Sequence, residues 1–206
     1  PFKQSFSNFT MSTTLGLIAI KGGVGKTTIA AALAANLVNN YKKKVLLVDA
    51  NYSAPNLAEH MDIVAPEKTI HHVLDNKTSL ENAIHNRFGV DVIPGSELYE
   101  TQINPIKLKQ TLEKIKGYYD FVILDSSTSL NEEMLSTILT SDALFVITTP
   151  DAPTLNCSLK AASIAKKRGT PIAGIILNKI RNPKFELSLD EIEKATSIPV
   201  IAKIQD

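Results

Sequence analysis

A single cysteine, Cys157, stands among 206 residues. No disulfide can close within one chain, and no cysteine-rich metal centre can form. A reducing, cytoplasmic compartment suits such a chain. Charge of one sign is missing too. Twenty-two Lys and Arg against 21 Asp and Glu leave a formal net charge of +1, so the whole molecule has no electrostatic bias toward nucleic acid or an anionic membrane. The basic runs "YKKK" (41–44) and "KKR" (166–168) follow helical patterns, where cations complement the carbonyl end of a helix. Apolar runs stop at about eight residues, well short of the length that spans a bilayer. The leading "PFKQSFSNFT" has no apolar core of the signal-peptide kind. Residues 1–10 read as a leader, a tag remnant or a disordered tail, and residues 11–206 as one domain. No repeat, low-complexity segment or linker interrupts that domain. It stops at "IAKIQD", just after an apolar run, which reads as a truncation.

The chain is rich instead in short apolar runs: "LGLIAI" (15–20), "VLLVD" (45–49), "VDVIP" (90–94), "FVILD" (121–125), "ALFVIT" (143–148), "IAGIIL" (172–177) and "IPVIA" (198–202). Most are continuous and β-branched, the pattern of parallel strands buried on both faces. Helical patterns lie between them: "TTIAAALAANLVNN", "NPIKLKQTLEKIKG", "LNCSLKAASIAKKRG" and "SLDEIEKATS". In the second of these, Asn104 reads as N-cap, Pro105 as N1 and Gly117 as the stop. The alternation predicts an α/β fold with a doubly wound, mostly parallel sheet of about seven strands. Ligands of such sheets bind beyond the carboxyl ends of the strands.

The string "KGGVGKTT" (21–28) follows the first strand and opens the first helix. Glycines 22, 23 and 25 let backbone N–H groups turn inward around a phosphate chain, with Val24 contributing its own amide. The helix adds its N-terminal dipole. Lys26 reaches toward β- and γ-phosphates, the Thr27 hydroxyl toward Mg²⁺, and Thr28 toward the α-phosphate. Asp49 and Asp125 each close an apolar strand run, the place for carboxylates that meet Mg²⁺. His60, His71, His72 and His85 have no zinc spacing and read as surface residues. Cys157 reads as a small buried helix residue.

KGGVGKTT resembles the deviant Walker A motif of the MinD/ParA family of P-loop ATPases, and the element order extends that resemblance over roughly residues 13–206. The resemblance implies a P-loop NTPase fold, ATP and ADP as ligands, Mg²⁺, and an ATP-dependent face-to-face homodimer. It implies that Lys21 is the signature lysine, crossing the dimer to the partner's phosphates. A cation supplied in trans is worth about 10³–10⁵ in rate, or roughly 4–7 kcal/mol. Asp49 matches the first carboxylate of a D-x-D motif; Asn51 stands at the second, where a carboxylate would orient the attacking water. Hydrolysis is expected to be slow, because an amide offers no full negative charge. Residues 50–57 form the nucleotide-sensing loop, and Asp125 matches the Walker B aspartate. "DSSTSL" (125–130) departs from the usual "DxPxG". Asn178 is the base-recognition candidate. Arg181 stands where a guanine-reading NKxD motif needs a carboxylate, so ATP is favoured over GTP. One cysteine excludes the iron–sulfur branches of the family. The implied role is a MinD-like switch with a regulatory protein partner, peripheral to the inner membrane face through a C-terminal segment. The alternatives are a ParA-like partitioning ATPase bound to non-specific DNA, and a nucleotide-binding module with little catalysis.

Overall fold

The computed structural model describes residues 12–98, 104–181 and 184–206. The element order is β1 (Thr13–Ile18), α1 (Lys26–Tyr41), β2 (Val45–Ala50), α2 (Leu57–His60), α3 (Ile70–Leu74), β3 (His85–Arg87), β4 (Val90–Ile93), α4 (Lys107–Leu112), β5 (Phe121–Ser126), α5 (Glu132–Thr140), β6 (Ala143–Thr148), α6 (Ala152–Lys167), β7 (Ile172–Ile180), α7 (Leu189–Thr196) and β8 (Val200–Gln205). The strands form one sheet in the order β3-β4-β2-β5-β1-β6-β7-β8. All neighbours pair parallel except β3 with β4. The leader reading of residues 1–10 lies outside the described residues.

Alternate side chains of a strand point to opposite faces, and the core divides accordingly. Leu15, Leu17, Leu47 and Ile123 pack on one face with Ile29, Ala30, Ala34 and Leu37 of α1. On the other face Leu46, Val48, Val122 and Leu124 meet Ile70 and Val73 of α3 and Leu108 and Leu112 of α4. Beside them Ile18, Leu144, Val146 and Ile175 meet Met134 and Ile138 of α5, Ala161 and Ala165 of α6 and Ile192 of α7. Burying each large aliphatic side chain stabilises the fold by roughly 1.5–3 kcal/mol. The two-faced burial explains why the strand sequences are continuous rather than alternating.

The structure corrects three expectations about elements. The sheet has eight strands, because "HNR" adds a polar, antiparallel edge that no apolar pattern reveals. Phe88 and Gly89 join β3 to β4 as a two-residue turn, with φ of 56° and 80°, the type I′ geometry that suits a hairpin. Asn104 does not cap a helix over 104–117. Its side chain accepts from the Ile106 N–H at 3.1 Å and the helix covers only Lys107–Leu112. The chain then turns through Lys116–Tyr118, which brings Asp120 to accept the Lys44 N–H at 2.8 Å. Helix α5 was not expected from the sequence. Its N-cap Asn131 accepts from the N–H groups of Glu133 and Met134.

Two side chains also differ from expectation. His71 is fully buried: Nε2 lies 2.9 Å from the Tyr52 carbonyl, and Nδ1 accepts the Ser96 N–H at 3.1 Å. Burial pulls its pKa below the ordinary histidine value. Cys157 is half-buried on α6 rather than buried.

Candidate functional site

The glycine loop joins β1 to α1 at the carboxyl edge of the sheet. Gly25 is the N-cap of α1 with φ 88°, a left-handed conformation that disfavours a side chain. A Cβ on Gly25 would also strike the Asn178 amide. Asn178, buried at the end of β7, donates Nδ2 to the Val24 carbonyl at 2.7 Å. The second amide hydrogen and the carbonyl oxygen remain as further hydrogen-bonding groups. The predicted base contact is thus also a strut under the loop.

Beneath the loop, β2 and β5 pair in register so that Asp49 faces Asp125. Both are fully buried. Lys26, 5% exposed, places Nζ 2.5 Å from Asp125 Oδ1. The second Asp125 oxygen is buried without a hydrogen-bond partner. Asp49 accepts the N–H groups of Asn51 and Leu57, both at 3.1 Å. Burial above all, and then the charge of Asp125, push the Asp49 pKa up to about 7; the two N–H groups and Lys26 oppose that shift.

Thr27 donates its hydroxyl to Asn56 Oδ1 at 3.1 Å. Thr28 lies 3.3 Å from His60 Nε2, and His60 Nδ1 lies 3.0 Å from the Asn56 carbonyl. Asn51 donates its amide to the Ala54 carbonyl. Asn56 and His60 were missed as site residues from the sequence. The available signal was position: they flank α2, which follows directly from the loop after Asp49. With the glycine loop they line a cleft of about 540 Å³ that reaches Asn178 and Asp206, within the usual range for small-ligand sites.

Lys21 stands at the far end of the loop, half-exposed. Its Nζ donates to the Thr154 hydroxyl at 2.9 Å and lies 3.6 Å from Asp151 Oδ1. Asp151 caps α6 and accepts the Thr154 N–H at 2.9 Å. Partial burial would raise its pKa, but the Thr149 and Thr154 hydroxyls, that N–H and Lys21 outweigh burial and hold the carboxyl below its usual range. A second cavity of about 360 Å³ lies between Lys21, Asp151, Arg181 and Phe185.

The site thus joins a glycine loop before a helix, a buried lysine on a strand-end aspartate and a second aspartate in register. A family model described as an AAA domain matches residues 12–158. The chain belongs to the MinD/ParA-type P-loop ATPases. An uncharacterised ATP-binding protein of Methanocaldococcus jannaschii is 33% identical over 199 residues, covering 95% of this chain and 75% of that one. A virulence plasmid ParA family protein of Chlamydia psittaci is 32% identical over 149 residues, covering 67% of this chain and 57% of that one. The structure of the septum site-determining protein MinD of Pyrococcus horikoshii OT3, complexed with Mg-ADP, superposes with a TM-score of 0.88 at 29% identity, covering 95% of this chain and 82% of that one. No helix of the described residues is long and apolar enough to cross a membrane.

Proposed function

We propose that this MinD/ParA-type ATPase is a nucleotide switch: ATP with Mg²⁺ brings two copies face to face, and slow hydrolysis releases them. The observation that carries this reading is the Lys26–Asp125–Asp49 constellation under the glycine loop. Two buried carboxylates face each other there, Asp125 is the one paired with Lys26, and its second oxygen has no partner. A divalent cation fits that donor set, with the Thr27 hydroxyl as a third oxygen. When bound, Mg²⁺ supplies charge stabilisation to phosphate oxygens. Backbone N–H groups of residues 22–27 bind the phosphates, and Lys26 moves from Asp125 toward them. Asn178 offers its free amide groups to the base edge.

Lys21 acts across the dimer. It exchanges Thr154 and Asp151 for phosphates held by the second copy. Asn51 orients the attacking water without accepting its charge, so turnover is low. The output of the switch is a surface for a regulatory protein and, in the MinD-like version, for the inner membrane face. The 32% identity to a ParA family protein supports a partitioning role on DNA as the second reading.

Calorimetry with ATP and ADP, phosphate release with Mg²⁺, and light scattering with each nucleotide test the proposal. ATP-dependent doubling of mass with slow phosphate release is the expected result. A failure to bind ATP would overturn it. Liposome and plasmid co-sedimentation with ATP separate the two roles.

A further inference from the structure

Five buried side-chain oxygens of the described residues lack a hydrogen-bond partner. The Ser12 hydroxyl lies at the start of the described chain, and Asp125 Oδ2 belongs to the phosphate site. The other three are the Tyr52 hydroxyl, Glu133 Oε2 and the Ser136 hydroxyl, and they gather in one place. Glu133 and Ser136 are three residues apart on α5 and so share a face. The Tyr52 hydroxyl lies beside Ser136, close enough for the serine to act on it as a hydrogen-bonding neighbour but too loosely placed for a formed bond, and the charge of Glu133 reaches both Tyr52 and His71. The Tyr52 ring also meets His71 of α3 edge-on, with centroids 5.9 Å apart. All of these residues are buried.

Burying a hydroxyl or a carboxylate without a partner is costly. Phe at 52 and Leu at 133 would fill this core at no such cost. The position of the three groups explains their presence. Tyr52 belongs to the loop that carries Asn51 and Asn56, directly after Asp49. Helix α5 begins after the short loop that leaves Asp125. The cluster therefore stands where the two loops that flank the two site carboxylates meet.

We infer that Tyr52, Ser136 and Glu133 are positioning residues for the ATPase reaction, a buried polar joint whose hydrogen bonds close when nucleotide draws the loops after Asp49 and Asp125 together. Burial above all pushes the Tyr52 pKa well above its usual value; the neighbouring Ser136 hydroxyl opposes it, and the charges of Asp49 and Glu133 add smaller upward pushes. Tyr52 therefore stays a hydroxyl and is the donor. Glu133 accepts, in the first turn of α5 where the helix N-terminus favours a carboxylate. Packed elements with two discrete arrangements are the physical carriers of coupling between sites.

The inference rests on the ATPase reading, and two measurements keep the two apart. Tyr52→Phe fills nearly the same space, and Glu133→Gln keeps the shape of the acid. Single-turnover and steady-state kinetics should show each variant slower in kcat by roughly 2- to 30-fold, the range of couplings through packed residues, with KM for ATP near that of the parent. The double variant should be no slower than the slower single one, since both break one joint. Parental kcat with only a changed melting temperature would reduce the cluster to packing and overturn the inference, as would losses that multiply in the double variant. Hydrogen exchange with ATP supplies the second readout. In the parent, residues 50–57 and α5 should gain protection together; in Tyr52→Phe, residues 50–57 should gain it without α5. Joint protection retained in that variant would overturn the inference. A parent that binds ATP but releases no phosphate refutes the ATPase reading, and the exchange result then decides the joint.

Discussion

Lys26→Met removes the cation from a site built around it. Lys26 and Asp125 are an almost fully buried pair at 2.5 Å, and Asp49 faces Asp125 across the β2–β5 register. Among the groups that shift Asp49, Lys26 is the only cation. Without it, two carboxylates are left facing each other in the core. Breaking a buried pair by removing one partner costs about 3–5 kcal/mol. At about 2–4 °C per kcal/mol for a domain of this size, the melting temperature should fall by roughly 6–20 °C. Thermal unfolding without nucleotide, at pH 8 and at pH 5.5, reads this directly. The sign of the pH effect follows from Asp49. Its folded pKa is raised from 3.8 to about 7, so the folded protein binds that proton more tightly than the unfolded chain. Stability is therefore greatest toward low pH and declines as pH rises through the folded pKa. Losing Lys26 raises that pKa further, so the gap between parent and variant should be wider at pH 8. The variant Lys26→Met with Asp125→Asn removes both charges and should recover most of the loss. A fall under about 2 °C, less than the shift from 1 kcal/mol, would refute the reasoning. So would an equal gap at both pH values, or no recovery in the double variant. Lost ATP binding in Lys26→Met is then interpretable only after the fold has been checked, because the same lysine also neutralises the buried Asp125 carboxylate.

Three further outcomes are expected. In the parent, lowering the pH from 8 toward 5 should stabilise the nucleotide-free protein, by up to about 3 kcal/mol if Asp49 acts alone; chemical denaturation at each pH checks the slope, and a stability that rises with pH contradicts it. Lys21→Ala should leave ATP affinity of the monomer near that of the parent while weakening ATP-dependent dimerisation; loss of monomer affinity by calorimetry would place Lys21 in cis. Asn51→Asp should raise single-turnover phosphate release about tenfold, or roughly 1.4 kcal/mol of barrier; an unchanged or lower rate would mean that another residue holds the water.

The apolar runs of the central strands were legible because strands buried on both faces leave little choice but Val, Ile and Leu, as at Leu46, Leu47 and Val48. The loop 21–28 was legible because glycine, lysine and threonine at fixed spacing have few other uses between a strand and a helix. Strand β3 was not, since His85, Asn86 and Arg87 are partly or fully exposed and owe their pairing to a turn with two positive φ values. Helix α5 was not legible either, since its nine residues mix Thr and Ser with the apolar positions and its clearest mark is the Asn131 cap. His71 looked like a surface residue because its partners, the Tyr52 carbonyl and the Ser96 N–H, are backbone groups 19 and 25 positions away. Backbone partners leave no mark in a residue pattern. The same holds for His60, whose place beside Thr28 depends on how the loop after Asp49 folds back.

The internal partners of the site change what nucleotide binding means. Lys26 is held by Asp125, Lys21 by Thr154 and Asp151, Thr27 by Asn56, and the Asn178 amide by Val24. At these side chains a phosphate chain would exchange with acceptors already in place. Exchange keeps the net gain per contact small, as folding does when protein hydrogen bonds replace those to water. The partners differ in exposure, however. Lys26 leaves a buried carboxylate behind and requires a cation to replace it, whereas Lys21 is half-exposed and leaves a carboxylate that water can solvate. Ion pairs as exposed as Lys21–Asp151 are worth about 1 kcal/mol or less. Lys21 is therefore the donor most easily withdrawn from its own chain, which is the property a residue needs if its target is the phosphate held by a second copy.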